Sequence, residues 1–534
     1  PKFEHEANLE SVAAAVQRYG VEHPVVNDPA LTTWQNYAVR AWPTLAVVDP
    51  EGYLVAHHAG EGHKNAIDLL IQELIAEHES KGTLRRGDSP YVPEIATPGL
   101  LKFPAKAIRI DNSLFVADAG NHRIVETDLT GNSEVRTFGS GERGHVDGVA
   151  AAFNEPNGLC QLPPQVATEV GYHLVVADTV NHALRGVNLD SGQVTTVAGT
   201  GQAWMFGDAN PVEAVDALST NLSSPWDVVW WPALGEVVIA MAGIHELWSF
   251  NPLTQQVRLL AGTTTEGLKD GPALESWFAQ TSGLAVAADT LWLADSETSA
   301  LRSISAAGEV RTHIGAGLFD FGLVDGASAN ARLQHPLGVC VLPDGSIAIA
   351  DTYNSAIRHF DPATQQVSTI MTGLAEPSGL VVVDEELLII ESAAHRISAI
   401  ALSQKHLQVD GAAMRTQRPV TALQAGELRL NVVFNPPNGQ KLDTRFGPST
   451  QVVISSSPPE LLLSGAGTST DLDQILQLNP DVAAGVLHIT ARAASCDTDE
   501  SEFPACHVIQ QDWGVPVEIS AAGERELRLM LAGI

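Results

Sequence analysis

The sequence predicts a multidomain, mainly β protein, and three observations carry that reading. One strand–turn–strand segment recurs six times between residues 114 and 401. An apolar inner-strand motif, usually opened by proline, alternates with it. On either side the pattern changes, to mixed helix and strand over residues 1–82 and to alternating strands over 421–534. The expected order is a partial α/β segment (1–82), a linker (83–98), a six-bladed β-propeller (99–405), a second linker (406–420) and a C-terminal β-sandwich (421–534).

At 534 residues the chain has room for about three or four domains of ordinary size. Apolar residues are 44% and charged residues 17% of the chain, enough apolar surface for several cores. A net charge of −33 repels phosphate backbones and anionic headgroups. Neither nucleic acid nor a membrane is therefore expected as a partner, and no apolar run approaches the ~18 residues that span a bilayer. A soluble protein is expected, with cytoplasm preferred over periplasm. Four cysteines exclude a disulfide-dense secreted scaffold.

In the first segment, Leu9, Val12, Val16 and Tyr19 recur at helical spacing, and a short strand is expected over Pro24–Asn27. Asp28-Pro29 should cap a helix running to about Val39. Trp42-Pro43-Thr44 then leads into a strand over 45–48, the turn Asp49-Pro50-Glu51-Gly52 returns the chain over 53–57, and an amphipathic helix covers 65–77. This order, with VRAWPTLAVVDPEGYLV, resembles the C-terminal portion of a thioredoxin-like domain. The resemblance implies that Pro43 is the cis proline facing the redox cysteines, so Trp42, Pro43 and Thr44 form a candidate substrate surface. The family's Cys-x-x-Cys has no counterpart here, since no cysteine precedes Cys160.

In the repeat region, an acidic residue closes the first strand of each hairpin at Asp118, Asp178, Asp295, Asp351 and Glu391, with Met241 in the third copy. Spacings of 40 to 63 residues with only short strands indicate a propeller rather than a helical solenoid. EPNGLCQLP, SPWDVVWWP, TSGLAVA, HPLGVCVLP, EPSGLVVVD and FPAKAIRID supply six inner strands. Asp147-Gly148, Asp270-Gly271 and Asp325-Gly326 precede three of them, each followed by Phe153, Phe278 or Leu333. This is the pattern of NHL repeats, which the region resembles from about 99 to 405, giving a six-bladed NHL β-propeller.

Arg185, Arg302 and Arg358 stand seven residues after their acid, Arg123 and Arg396 five. Equal parity puts all five on one strand face. A residue repeated in nearly every blade is expected to be a structural interblade ion-pair layer rather than a catalytic group. The turn residues Asn121, His122, Asn181, His182 and Asn354 are expected to shape hairpins rather than bind metal. Cys160 and Cys340 occupy matched inner-strand positions and should be separate buried thiols. The last blade is expected to be completed by strands from both ends of the repeat region.

After Arg418-Pro419, ELRLNVVF, TQVVISS, GVLHITARA, VPVEIS and RELRLML alternate as strands of a sandwich. Cys496 and Cys506 flank the acidic stretch DTDESEFPA, which raises a nearby thiol's pKa and favours a disulfide at a solvent-facing edge. The pair followed by His507 and Trp513-Gly-Val-Pro-Val is similar to the N-terminal immunoglobulin-like domain of thiol:disulfide interchange reductases. That makes Cys496 and Cys506 the candidate redox residues.

Together the three parts resemble the thioredoxin-domain NHL-repeat protein family, the NHL repeat-containing protein 2 group with its bacterial redoxin or alkyl hydroperoxide reductase-like relatives. Gly60 to Lys64 fits the family's entry into the last thioredoxin helix. The resemblance implies a thiol-redox or redox-linked protein-interaction protein, with protein partners that include a thiol-redox partner. A thiol-disulfide oxidoreductase activity would need an upstream Cys-x-x-Cys, so no residue is assigned as catalytic. Two alternatives stand: a non-catalytic propeller scaffold, and a metal-dependent propeller lyase or hydrolase. Inner strands that open on Pro-x-Gly supply no convergent ligand set, so no metal and no cofactor are expected.

Overall fold

The computed structural model describes residues 3–29, 32–37, 39, 44–59, 63–87, 99–205, 208, 210–403, 416–417, 420–436, 440–442, 448–497 and 506–531. Two compact units emerge, one of residues 97–419 and one that combines 1–96 with 420–534.

The first unit is a ring of six antiparallel sheets. Their inner strands are Pro104–Ile110, Pro156–Gln161, Pro225–Trp231, Thr281–Ala287, Gly338–Val341 and Pro377–Val383, which define blades 1 to 6. The second strand of each blade is almost wholly buried, as at Leu174–Asp178 and Ile347–Asp351, which is why these segments read as continuous apolar runs. Each joint between neighbours has its own apolar core. Phe115, Phe138, Phe153 and Val176 fill the joint of blades 1 and 2, and Trp292, Leu301, Ile349 and Phe360 that of blades 4 and 5. Val116, Val125, Leu388 and Ile390 join blade 6 to blade 1 and close the ring.

Blades 1 and 2 have four strands. Blades 3, 4 and 5 gain a fifth, because the crossover from the preceding blade lays Val215–Asp216, Gly271–Pro272 or Gly326–Ala327 along the outer strand. Blade 6 has three strands among the described residues, all from Pro377–Ala401, and blade 1 draws its four from Pro104–Phe138. The segments on either side of the repeat region that could complete blade 6, residues 88–98 and 404–415, lie outside the described residues. Close backbone packing joins blade 6 to blade 1: the Ser378 hydroxyl donates to Ala105 O at 2.6 Å, and a Cβ on Gly379 would lie 3.1 Å from Lys106 Cα.

In the other unit, the helix Leu9–Arg18 is capped by Asn8, whose side chain accepts from Glu10 N. The Asp28 carboxylate accepts from Thr32 N and Trp34 N and starts the helix Thr32–Asn36. Thr44–Val48 pairs with Leu54–Ala59 in a two-stranded sheet, and the helix Lys64–Lys81 follows, ending at Gly82 in the left-handed region (φ 70°). Residues 24–27 form no strand, because no described segment offers them a ladder. Trp42 and Pro43 lie outside the described residues, as do Gly60 to Gly62 and most of both linkers; Thr44 opens the strand.

Residues 421–531 form two sheets around one core. Thr421–Leu423, Cys506–Ile519, Ala484–Asp497, Thr450–Ser457 and Gly467–Ser469 make one, with Gln440–Leu442 added on Ala484–Asp497. Leu462–Ser464, Asp473–Leu478, Gly426–Phe434 and Glu526–Leu531 make the other. Leu428, Leu430, Leu476, Leu487, Ile489 and Val517 from both sheets meet in the shared core.

Candidate functional site

The inner strands bring one position of every blade to the propeller axis. Four are glycines, and two of these show why: a Cβ on Gly158 would stand 2.5 Å from Asp227 Cα, and one on Gly283 2.8 Å from Gly338 Cα. The other two positions are Lys106 and Asp227. Lys106 Nζ donates to Asp227 Oδ2 at 2.8 Å, to Leu337 O at 2.9 Å and to Ser282 O at 3.4 Å. Asp227 also accepts from Val228 N and Leu284 N, both near 2.9 Å or less. One ammonium thus links blades 1, 3, 4 and 5. Burial pushes the Asp227 carboxyl up while Lys106 pulls it down.

Sequence reasoning counted Pro-x-Gly as the rule and missed this pair. The signal was available: blades 1 and 3 carry Pro-Ala-Lys and Pro-Trp-Asp at that position, two departures of opposite charge.

The repeated arginines divide into two groups. Arg185, Arg302 and Arg358 are fully buried. Each binds the acid of its own hairpin (Asp178, Asp295, Asp351) and the Asp of the preceding crossover (Asp147, Asp270, Asp325) at 2.6 to 3.2 Å. Arg185 also faces the ring of Phe153 at 5.1 Å and Arg302 that of Phe278 at 4.4 Å. Burial lifts Asp178, Asp351 and, to about 6, Asp295 above the usual carboxylate range, against the pull of the guanidinium. Arg123 and Arg396 instead sit directly across the ladder from Asp118 and Glu391, and their side chains are 21% and 62% exposed. Blade 3 replaces the buried pair by Met241 and Trp248, both without exposed surface.

The hairpin turns carry a second ring. His122, His182, His245 and His395 all adopt left-handed backbone, and each Nδ1 accepts the N–H of the residue that enters the next blade: Glu155, Ser224, Gln280 and Phe103. Ser299 Oγ does the same for His335 N. The imidazoles must be neutral to accept. Burial holds His122 and His245 down at about 4 and lowers His182. A folded-state pKa below the unfolded 6.5 means that the unfolded chain binds more protons between those values, so this stability is lost as pH falls from about 6.5 to about 4. The triple variant His122→Asn, His182→Asn, His245→Asn keeps an acceptor and a residue that tolerates left-handed backbone. Urea midpoints at pH 7 and 5 should fall less with acid in the variant than in the parent; equal slopes would exclude the imidazoles. Asp295 contributes with the opposite sign in both proteins, so the difference isolates the histidines.

Thiol chemistry is unevenly distributed. Cys160 and Cys340 are free, the first buried and the second half-buried, and burial raises them to about 12 and about 11. Cys496 is disulfide-bonded, and the ladder places Cys506 directly opposite it. Cys496 is only 2% exposed, which corrects the expected solvent-facing edge: its strand is covered by Gln440–Leu442, with Lys441 across from it. Residues 498–505 lie outside the described ones.

Asp49, Glu51 and His78 bring ligand atoms within 4.8 Å of one another. These groups are already engaged. Asp49 accepts from Glu51 N and Tyr53 N in its turn, His78 Nδ1 meets Thr83 Oγ1 at 2.7 Å, and Glu51 faces Lys81 at 3.7 Å. The cluster ties the last helix to the hairpin.

A closed ring of sheets with a repeated acid, arginine and turn histidine defines an NHL-repeat β-propeller protein, and residues 333–360 match the NHL repeat model. The chain is 30% identical over 595 aligned positions to NHL repeat-containing protein 2 of Bos taurus, covering 94% of this chain and 79% of that one. It belongs to the NHL repeat-containing protein 2 family. Protein SUPPRESSOR OF QUENCHING 1, chloroplastic, of Arabidopsis thaliana is 35% identical across 73% of this chain, which spans only 39% of that longer protein. A gluconolactonase structure from Xanthomonas campestris aligns at TM-score 0.39 and 14% identity, covering 56% of this chain and 86% of that one. No helix among the described residues is long and apolar enough to cross a membrane.

Proposed function

We propose that this chain is a redox-linked protein-interaction protein. In this reading residues 1–82 are the C-terminal portion of a thioredoxin-like domain, 83–98 and 406–420 are linkers, 421–534 is a β-sandwich domain, and the propeller (99–405) binds protein partners. The five repeated arginines serve the propeller's structure. The observation that carries the redox part is the disulfide at Cys496 opposite Cys506, set against two propeller thiols that burial keeps protonated. Thiolate is the reactive form, so Cys160 and Cys340 are poor nucleophiles at neutral pH. A partner's thiolate attacking one sulfur of the Cys496 bond forms a mixed disulfide and releases the other as thiolate; a second partner thiol then completes reduction.

Thiol alkylation read by mass spectrometry tests this. After treatment with a dithiol reductase under native conditions, Cys496 and Cys506 should become labelled while Cys160 and Cys340 do not. If labelling requires denaturant, the bond is a structural staple.

The burial of Cys496 favours a second reading, a scaffold without redox exchange. A propeller lyase or hydrolase is disfavoured by chemistry on the axis, where the Lys106 ammonium repels a divalent cation and Asp227 is already committed to it.

A further inference from the structure

The sheet around the Cys496 disulfide is not symmetric. Cys496 stands on the strand Ala484–Asp497, which at this level has a neighbour on each side: Lys441 of Gln440–Leu442 is its ladder partner on one and Cys506 on the other. The register of the short strand is pinned, because the buried Ser495 hydroxyl donates to Gln440 Oε1 at 2.7 Å. Alternation then puts Lys441 and Cys496 together on the opposite face. Directly opposed residues have Cβ atoms about 4.5–5.5 Å apart, within reach of a lysine side chain. Arg492 shares that face but stands four residues back, about 13 Å along the strand.

Cys506 opens its own strand, Cys506–Ile519, and among the described residues the far edge of that strand is paired only over Val517–Ile519, by Thr421–Leu423. Thiol–disulfide exchange is an in-line displacement, so the incoming sulfur must approach from the side opposite the one that leaves. For Cys496 that path crosses the strand Gln440–Leu442, and Cys496 is only 2% exposed. For Cys506 it comes over a strand edge that no described segment covers.

Attack at Cys506 makes Cys496 the leaving thiolate, in a buried place. Burial alone opposes this, as the propeller thiols raised to about 12 and about 11 show, and the acidic stretch that follows Cys496 in the sequence adds repulsion. A cation beside the departing sulfur offsets both, because a leaving thiol of lower pKa leaves faster.

We propose that Lys441 is a positioning residue that gives the exchange its direction: a partner thiolate attacks Cys506, the S–S electron pair passes to Cys496, and the Lys441 ammonium holds the departing thiolate. This rests on the redox reading given above. The new bond joins the partner's sulfur to Cys506. The second thiol of a dithiol reductase then attacks that partner sulfur; Cys506 departs as thiolate and takes up a proton, and the partner leaves oxidised to a disulfide. A buried Cys496 is compatible with an exchangeable bond on this polarity, since the buried sulfur is not the one attacked.

Reduced glutathione acting on the native full chain is the probe, with early time points quenched in acid, alkylated and mapped by mass spectrometry. Glutathione should be found on Cys506 and the alkyl group on Cys496, by about tenfold or more over the reverse. Lys441→Met should slow the reaction about threefold, the effect of one unit charge at about 5–6 Å near water, and should shift glutathione toward Cys496 by the same factor. Lys441→Arg should restore both. In about 1 M KCl the ratio of parent to Lys441→Met rates should approach one, because salt screens the charge. Glutathione placed mainly on Cys496, or rate and placement unchanged in Lys441→Met, would overturn this polarity while leaving the exchange itself standing. No reaction without denaturant would overturn the redox reading, and the polarity with it.

Discussion

Asp227→Ala is expected to lower the unfolding free energy of the propeller by about 3–5 kcal/mol, the cost of leaving a buried partner charge uncompensated. Lys106 would keep two carbonyl acceptors but lose its counter-ion, and Leu284 N and Val228 N would lose their acceptor. The double variant Lys106→Met, Asp227→Leu should regain most of that loss, since an apolar pair of similar volume is often neutral against a buried ion pair. Urea unfolding followed by tryptophan fluorescence measures both. If Asp227→Ala costs less than about 1 kcal/mol, the axis is hydrated and the ion pair is not what holds blades 1, 3, 4 and 5 together.

Arg358→Ala should be comparably severe, at about 3–5 kcal/mol. It strands Asp351, which is fully buried, and Asp325, and it frees the carbonyls of Arg332 and Val324. Arg396→Ala, with a side chain 62% exposed, should cost under about 1 kcal/mol. Blade 3 shows the natural solution to removing the ion pair, which is to replace both members at once. Asp351→Met with Arg358→Met should therefore be less damaging than Arg358→Ala, and the coupling energy of that cycle reads the pair directly. Equal losses for Arg358→Ala and Arg396→Ala would show that burial of the guanidinium does not set its contribution.

The six hairpins, their acids and the Asp-Gly crossovers were legible because each depends on residues a few positions apart. Period-two alternation, a turn residue and an arginine of matching parity are local facts, and the structure builds blades from them. The roles of individual side chains were less legible. The five arginines share parity, but an offset of seven carries Arg185, Arg302 and Arg358 beneath the crossover to a second acid, whereas an offset of five leaves Arg123 and Arg396 across from one acid near solvent. His122 read as a turn residue; that it also accepts a bond from the next blade involves a partner 33 residues away. Cys496 read as exposed because its sequence neighbours are acidic, yet the strand Gln440–Leu442 lies beside it.

What the amino-acid sequence determined by itself was the number of blades, the strands that compose them and the acids and arginines they repeat, because these follow from short-range periodicity and chemistry. Only the tertiary structure decided what fills the axis and how blade 6 meets blade 1. Lys106 and Asp227 are 121 residues apart, and His395 meets the entry to blade 1 across 292. No local pattern specifies such pairs; they exist because closing six sheets into a ring brings one position from every inner strand to a single axis, where space admits glycine and one buried charge must find its opposite.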